Sequence, residues 1–348
     1  GANKNIVIHT DSPTFAAQYF SDSALTSSLG DNPQLKTGTY YLRVIASEAL
    51  SAAPAISILA EGTANDITDA TATPVSGTTY RLERTIAPDA AAIGAELEEI
   101  HIAGSDLAGN QTTNAHPSND FTAAAYTDTV VPSIPTITAI SSDNYIHAGE
   151  KSAIVLTGTA EADSLVSATL SDGTNTKSVT QQLSGGATLF SISIDGTTAT
   201  PAALADGTIT PSVTATDAAG NISTARTTPT ATQESTAPTL STVTIASNNA
   251  DVTKAKRGDT VTLTFSADES LRTPTVSLNG APIVVSGSGT NWTASRIVSA
   301  SDTEGPETFS IAFTDLAGND GISVTTTTNG SSVTLDVTPP VITEGTAI

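Results

Sequence analysis

Short runs in which apolar and polar residues alternate recur along the whole chain. Val261, Leu263 and Phe265 alternate with threonine and serine, and the same alternation runs through Val213 and Ala215. A period of two residues is typical of strands that bury one face, and valine, isoleucine and threonine favour such strands. Asp-Gly and Asn-Gly pairs separate the runs and predict tight turns. The pattern therefore predicts an all-β fold built from many short strands.

A five-residue phrase repeats three times along this pattern. It reads DLAGN at 106–110, DAAGN at 217–221 and DLAGN at 315–319. The repeats are about a hundred residues apart, which is the length of one small β-sandwich. Self-similarity at a fixed spacing indicates a string of similar modules and not one large domain.

A junction rich in threonine and proline follows each phrase, and these junctions predict the domain boundaries. Proline fixes φ and donates no hydrogen bond, so such segments predict short, stiff linkers. We predict immunoglobulin-like β-sandwiches at 1–129, 130–236 and 237–338, with 339–348 as the start of a further repeat or a linker. Residues 10–36 precede the first strand that matches the third unit, and we interpret them as an insertion that is either a loop or a lateral binding surface.

Composition narrows the possible functions. The 348 residues contain no cysteine and no methionine, and the formal net charge is −22. The absence of cysteine excludes disulfides and thiol catalysis. The acidity disfavours binding to nucleic acid or to anionic membranes. No apolar run is long enough to span a membrane. We expect the chain to be a segment cut from a longer protein.

Catalytic patterns are missing from the sequence. The four histidines, at positions 9, 101, 116 and 147, do not recur between the units and have no evident catalytic partners. No nucleophile elbow, paired-histidine zinc motif or glycine-rich phosphate loop is present. We predict that the protein is not an enzyme.

The repeated phrase has two interpretations. In the first, its aspartate and glycine only close a turn. In the second, acidic side chains bind Ca²⁺, which takes six to eight oxygen ligands. One ligand would come from each phrase and one from the acidic residue near each junction, and loops 161–163 and 268–269 could complete the sites. The candidate calcium ligands are Asp106, Asp128, Asp217, Glu234, Asp315 and Asp336.

One aromatic residue opens an alternating run at an equivalent place in each unit. These residues are Tyr80, Phe190 and Trp292. They are interpreted as core residues between two sheets, with a platform for stacking a ligand as the alternative.

The segments GTAEADSLVSATLSDG and ADGTITPSVTATDAAGNIS, together with the proline junctions, resemble bacterial immunoglobulin-like repeats. That resemblance implies tandem β-sandwiches arranged as an elongated rod in an extracellular protein of a prokaryotic cell surface. It implies an extender that holds an adhesive element away from the cell, with neighbouring repeats as partners and calcium stiffening the junctions. The alternatives are a subunit that self-assembles into a surface layer or filament, and a carbohydrate-binding module.

Overall fold

The structure is a computed structural model, and it describes residues 8–60, 65–89, 96–115 and 125–341. These residues form strands and loops with one helical turn, Ser141–Asn144. The strands pair only within three groups, which we call modules 1, 2 and 3. The fold is therefore all-β, as the alternating pattern predicted. Within the described ranges, no helix is long and apolar enough to cross a membrane.

The strands of module 1 are β1 (Phe15–Phe20), β2 (Gln34–Leu35), β3 (Gly38–Ala46), β4 (Ala55–Leu59), β5 (Ile67–Thr71), β6 (Thr73–Ser76), β7 (Thr79–Ile86), β8 (Glu96–Leu97), β9 (Glu99–Ser105), β10 (Gln111–Ala115) and β11 (Tyr126–Thr127). Those of module 2 are β12 (Thr136–Ile140), β13 (Tyr145–Ile146), β14 (Ile154–Thr159), β15 (Leu165–Ser171), β16 (Thr176–Gln182), β17 (Leu189–Ile194), β18 (Gly207–Thr216) and β19 (Ala231–Gln233). Those of module 3 are β20 (Leu240–Ser247), β21 (Lys254–Ala255), β22 (Thr260–Ala267), β23 (Thr275–Leu278), β24 (Ala281–Ile283), β25 (Val285–Ser288), β26 (Asn291–Ile297), β27 (Gly305–Pro306), β28 (Phe309–Ala312) and β29 (Thr334–Leu335).

Module 2 shows the topology in its simplest form. One sheet has the order β12-β14-β17 and the other has the order β13-β19-β18-β15-β16. The first strand pairs antiparallel with β14, after which the chain crosses to the other sheet, where β13 runs parallel to the last strand, β19. Two mainly antiparallel sheets joined in this way form an immunoglobulin-like sandwich.

Modules 1 and 3 repeat this plan. The opening strand pairs with the second long strand, as β1 does with β3 and β20 with β22. A two-residue strand then runs parallel to the closing strand, as β2 does with β11 and β21 with β29. The parallel pair places the end of the short second strand beside the exit of each module.

Each module has its own hydrophobic core. The buried apolar residues form three separate clusters, within residues 15–125, 137–231 and 243–335. Tyr80, Phe190 and Trp292 are buried in these clusters, one in each. This burial confirms that they are core residues. Valine, leucine and isoleucine supply most of the remaining core, so each module can bury apolar surface without its neighbours.

Residues 10–36 are not an insertion, and that interpretation was wrong. Phe15–Phe20 is the opening strand of module 1 and pairs along its length with β3, while Gln34–Leu35 pairs with β11. Only the loop between them is longer than its counterparts in modules 2 and 3. The segment Asp89–Glu99, whose equivalence to a loop of the third unit predicts a loop, falls largely on residues 90–95, outside the described residues.

Arginine–glutamate pairs with a buried carboxylate support the sandwiches of modules 1 and 3. Arg84 Nη2 lies 2.7 Å from Glu98 Oε1, with both side chains fully buried, and Tyr19 donates its hydroxyl to the same carboxylate at 2.6 Å. In module 3, Arg296 forms a two-pronged contact with the buried carboxylate of Glu307. Removing one partner of such a pair leaves a buried charge without compensation, which is strongly destabilising.

Candidate metal-binding junctions

The repeated Asp-x-Ala-Gly-Asn phrase forms the same closed loop in all three modules, and we call this loop the tip. In each tip the Asp N–H donates to the Asn carbonyl, at 3.0, 3.1 and 3.1 Å in chain order. One carboxylate oxygen of the aspartate accepts the Asn N–H at 2.8 Å in every case. The glycine has φ values of 95°, 87° and 113°, a backbone region that favours glycine. Turn closure therefore explains the glycine and one oxygen of the aspartate.

The asparagine of each tip also binds the segment that leads into its module. Its side-chain amide donates to the carbonyls of His9, Asp128 and Glu234 at 3.0, 3.0 and 3.1 Å. Each of these three residues stands four positions before a proline, and so does Asp336. We call these four residues the linker residues.

Three of the linker residues also bond to the module that precedes them in the chain. The N–H groups of Asp128, Glu234 and Asp336 donate to carbonyls of the module that precedes them, at 2.9, 3.0 and 2.9 Å. The acceptors are Leu35, Ile146 and Ala255, which end the short strands β2, β13 and β21. At both junctions a single residue therefore bonds to the module before it through its N–H and to the module after it through its carbonyl.

Side chains add direct contacts between the modules. At the first junction, Lys36 of module 1 donates its Nζ to the carbonyl of Gly220 in the module 2 tip at 2.8 Å. At the second junction, the N–H of Ala148 donates to Asn319 Oδ1 at 2.9 Å, and Asp143 and Arg272 form an ion pair at 3.7 Å. The tips of modules 2 and 3 therefore lie between modules and are not free hairpin ends.

Three carboxylates converge at the second junction. Glu234, Glu269 and Asp315 each offer an oxygen within 4.8 Å of the others, and the Asn319 amide donates to Glu234 Oε2 at 2.6 Å and to Asp315 Oδ2 at 2.8 Å. Burial raises the pKa of Glu234, and its contact with Asp315 raises it further. Burial and the charges of Glu234 and Asp315 also raise the pKa of Glu269. Charged carboxylates repel one another here.

The first junction has the same set of residue types. Burial raises the pKa of Asp128, and although the N–H of Val130 acts in the opposite direction, the charges of Asp217 and Glu161 add to the rise. Glu161 also accepts the N–H of Ser133 in the linker at 3.1 Å. The linker acid, the tip aspartate and a loop glutamate thus recur together at both junctions.

The tip of module 1 differs because histidine takes the place of the linker acid. His9 Nδ1 lies 3.0 Å from Asp106 Oδ2 and His9 Nε2 lies 3.5 Å from Glu48 Oε2. The imidazole therefore bridges the two carboxylates, and in its protonated form it would balance part of their charge.

The six candidate calcium ligands thus fall into different settings. The structure brings Asp128 close to Asp217, and Glu234 close to Asp315. Each pair joins a linker acid to the tip of the next module, where the sequence had left the pairing open. Asp106 faces His9 instead of a second linker acid. Asp336 is exposed at the end of module 3, where its N–H is bonded to Ala255.

Sequence reasoning missed the part played by the tip asparagines, because asparagine in such a phrase is easily explained as a turn former. One sequence signal could have revealed it: every linker residue, including His9 before Pro13, stands four positions before a proline. In the two loops named as possible contributors, Glu161 and Glu269 face the junctions. Asp163 and Asp268 instead accept backbone N–H groups of Gly186 and Thr239.

Comparisons with known proteins give no family for this chain. No family model matches it, and no curated protein matches it. Among solved structures, the I9–I11 tandem of titin is similar over 88% of this chain and 95% of its own, with 11% identity and a TM-score of 0.28. The fibronectin(III)-like modules of Clostridium thermocellum CbhA match 58% of this chain and 94% of theirs, with 14% identity and a TM-score of 0.32. Titin domains A168–A170 match 90% of this chain and 98% of theirs, with 12% identity and a TM-score of 0.29. The fold assignment rests on the strand order and the three cores described above.

Proposed function

We propose that this chain is an extender: a row of immunoglobulin-like modules that sets the distance between whatever is attached at its two ends. The observation that carries the proposal is the linker residue bonded on both sides, found at both junctions. Modules joined by flexible linkers do not need such a contact. A spacer needs it, because the length of a spacer depends on how firmly successive modules are held.

Calcium fits the two junctions by the chemistry of their donors. The side chains at both junctions are carboxylates, which converge within 4.8 Å at the second junction and act on one another by charge at the first. Hard oxygen donors suit Ca²⁺ better than zinc or copper. Glu234, Glu269 and Asp315 would hold one ion. Asp128, Glu161 and Asp217 would hold the second. A bound divalent cation would offset the burial and the repulsion that raise the pKa values of Asp128, Glu234 and Glu269, and so strengthen the contact between modules.

The setting proposed for this extender is the outside of a prokaryotic cell, as part of an adhesin-like surface protein with no catalytic role. Three features support this setting: the resemblance to bacterial immunoglobulin-like repeats, the lack of cysteine, and acidity spread over all three modules. Calcium is abundant enough outside cells to occupy sites of modest affinity.

Pulling the chain by its ends in a force spectrometer tests the extender role. Three independent cores predict three separate unfolding events, each releasing roughly 300 Å of chain, since an extended residue spans about 3.5 Å. Calcium should raise the force needed for these events. A single unfolding event for the whole chain would contradict the proposal.

A further inference from the structure

The end of module 3 repeats the surface that receives a tip at both junctions. It consists of Lys256, Arg257 and the segment 336–340, and we call it the end surface. Asp336 is bonded to Ala255 just as Asp128 is bonded to Leu35 and Glu234 to Ile146. In contrast to the buried Asp128 and half-buried Glu234, Asp336 is exposed.

The residues that follow the three acceptors in sequence also correspond. Lys36 follows the acceptor Leu35, His147 follows Ile146, and Lys256 follows Ala255. Lys36 bonds to the tip glycine carbonyl of module 2. The imidazole of His147 packs against Gly318: a Cβ atom placed on that glycine would lie 3.3 Å from the ring. Lys256, with a side chain 68% exposed, occupies the position from which Lys36 and His147 contact a tip.

A backbone donor completes the match. Ala148, the residue after His147, donates its N–H to Asn319 Oδ1 at 2.9 Å. Arg257 follows Lys256 in the same way, and no described residue accepts its N–H. The end surface therefore offers the carbonyl of Asp336, which matches both junctions, the ammonium group of Lys256, which matches the first, and the N–H of Arg257, which matches the second. Lys256 also pairs with Asp259 of its own module at 2.6 Å.

We infer that the end surface is a docking site for an Asp-x-Ala-Gly-Asn tip on a β-sandwich joined through Pro340. The asparagine of that tip would donate to the Asp336 carbonyl and accept from the Arg257 N–H, while its glycine carbonyl would accept from Lys256. This inference rests on the proposed extender role and deepens it, because it defines what kind of module the last surface accepts.

Charge favours a covalently joined module over a second copy of the chain. Two copies would bring together net charges of −22 each, and their repulsion opposes association in trans. The tip of module 1 also already holds the carbonyl of His9, so a second copy would have to displace that segment. A module joined directly through Pro340 has no docked segment to displace, and its linker sets a high local concentration that offsets charge repulsion.

The test extends the chain by one of its own modules. Residues 1–340 are followed by a second copy of 239–338, so that Pro340 takes the place of Pro238 and the spacing from linker residue to tip equals that of the second junction. Hydrogen exchange of the Arg257 amide is then measured by NMR in the three-module and four-module proteins. The Ala148 amide, bonded to Asn319, is the internal control.

We expect exchange at Arg257 to slow by about three- to tenfold in the four-module protein, the scale of one hydrogen bond. Changing the asparagine of the added tip to alanine should restore fast exchange at Arg257 and leave Ala148 protected. Unchanged exchange at Arg257 beside a protected Ala148 would overturn the inference and leave the extender role intact. Protection at Arg257 that rises with concentration in the three-module protein would also overturn it, because a second copy would then be the occupant. Fast exchange at Ala148 in the unmodified chain would overturn both proposals.

Discussion

Replacing Asn319 by alanine should separate modules 2 and 3 energetically while both remain folded. The Asn319 amide donates to Asp315 within its own tip and to the carbonyl and carboxylate of Glu234, and its oxygen accepts the Ala148 N–H. A net hydrogen bond contributes about 0.5–1.5 kcal/mol, and one to a charged group about 1.5–3 kcal/mol. Two amide hydrogens are shared among three acceptors, so we expect a total loss of about 2–4 kcal/mol.

Most of that loss should appear as coupling, because Glu234 and Ala148 belong to the module 2 side of the junction. Asn110→Ala is the matched control: it breaks the equivalent bonds to Asp106 and to the His9 carbonyl in module 1, far from the second junction.

Urea unfolding followed by the fluorescence of Trp292 reports on module 3 alone, because this is the single tryptophan of the chain and it is buried in that core. Circular dichroism follows the remaining transitions. Asn319→Ala should lower the midpoint of the Trp292 transition and also destabilise module 2, whereas Asn110→Ala should leave the Trp292 transition unchanged. If Asn319→Ala leaves module 2 as stable as before, the tips do not couple the modules, and the reasoning is refuted.

Other measurements address the carboxylates and the cores. Isothermal titration should detect two calcium ions per chain. Glu269→Gln should remove one of them. Glu83→Gln, the control, neutralises an exposed strand residue and should remove none. Calcium should also raise the melting temperature, and an unchanged temperature after chelation would count against both sites. Above the ordinary carboxyl pKa and without calcium, Glu234, Glu269 and Asp128 bind more protons in the folded state than in the unfolded state, because their pKa values are raised. Their contribution to stability should therefore fall as the pH rises from the ordinary carboxyl pKa through the raised values, so the calcium-free protein should melt higher at pH 5 than at pH 7, and a saturating amount of calcium should reverse this order. Leu263→Ala, in the core of module 3, should lower the stability of that module by about 2–5 kcal/mol and leave the urea transition of module 1 in place.

The strands and the division into modules could be predicted from the sequence, because both depend on local patterns. Val261, Leu263 and Phe265 are buried as their alternation predicts. The opening strand of module 1 carried the same signal, with Phe15, Ala17 and Tyr19 buried and the residues between them half-buried. The prediction was wrong because the sequence of this strand was not matched to that of β20, its counterpart in module 3.

The assembly of the junctions could not be predicted in the same way. A tip aspartate and its linker acid are separated by 80 residues or more in sequence, and only the crossover from β12 to β13, and its equivalents, decides which linker meets which tip. The contacts that matter most involve backbone groups, such as the carbonyl of Glu234 and the N–H of Ala148. Almost any residue type can supply a backbone carbonyl or N–H, so no sequence pattern predicts these contacts.

The most direct test of the central claim, that the tips hold successive modules end to end, is the radius of gyration of the whole chain in solution. A module with strands of six to ten residues is about 30–40 Å long, so three in line reach about 105 Å and predict a radius of gyration of about 30 Å from small-angle scattering. A compact chain of this length has a radius of gyration of about 20 Å. A value near 30 Å that persists in calcium supports the account, and a value near 20 Å contradicts it.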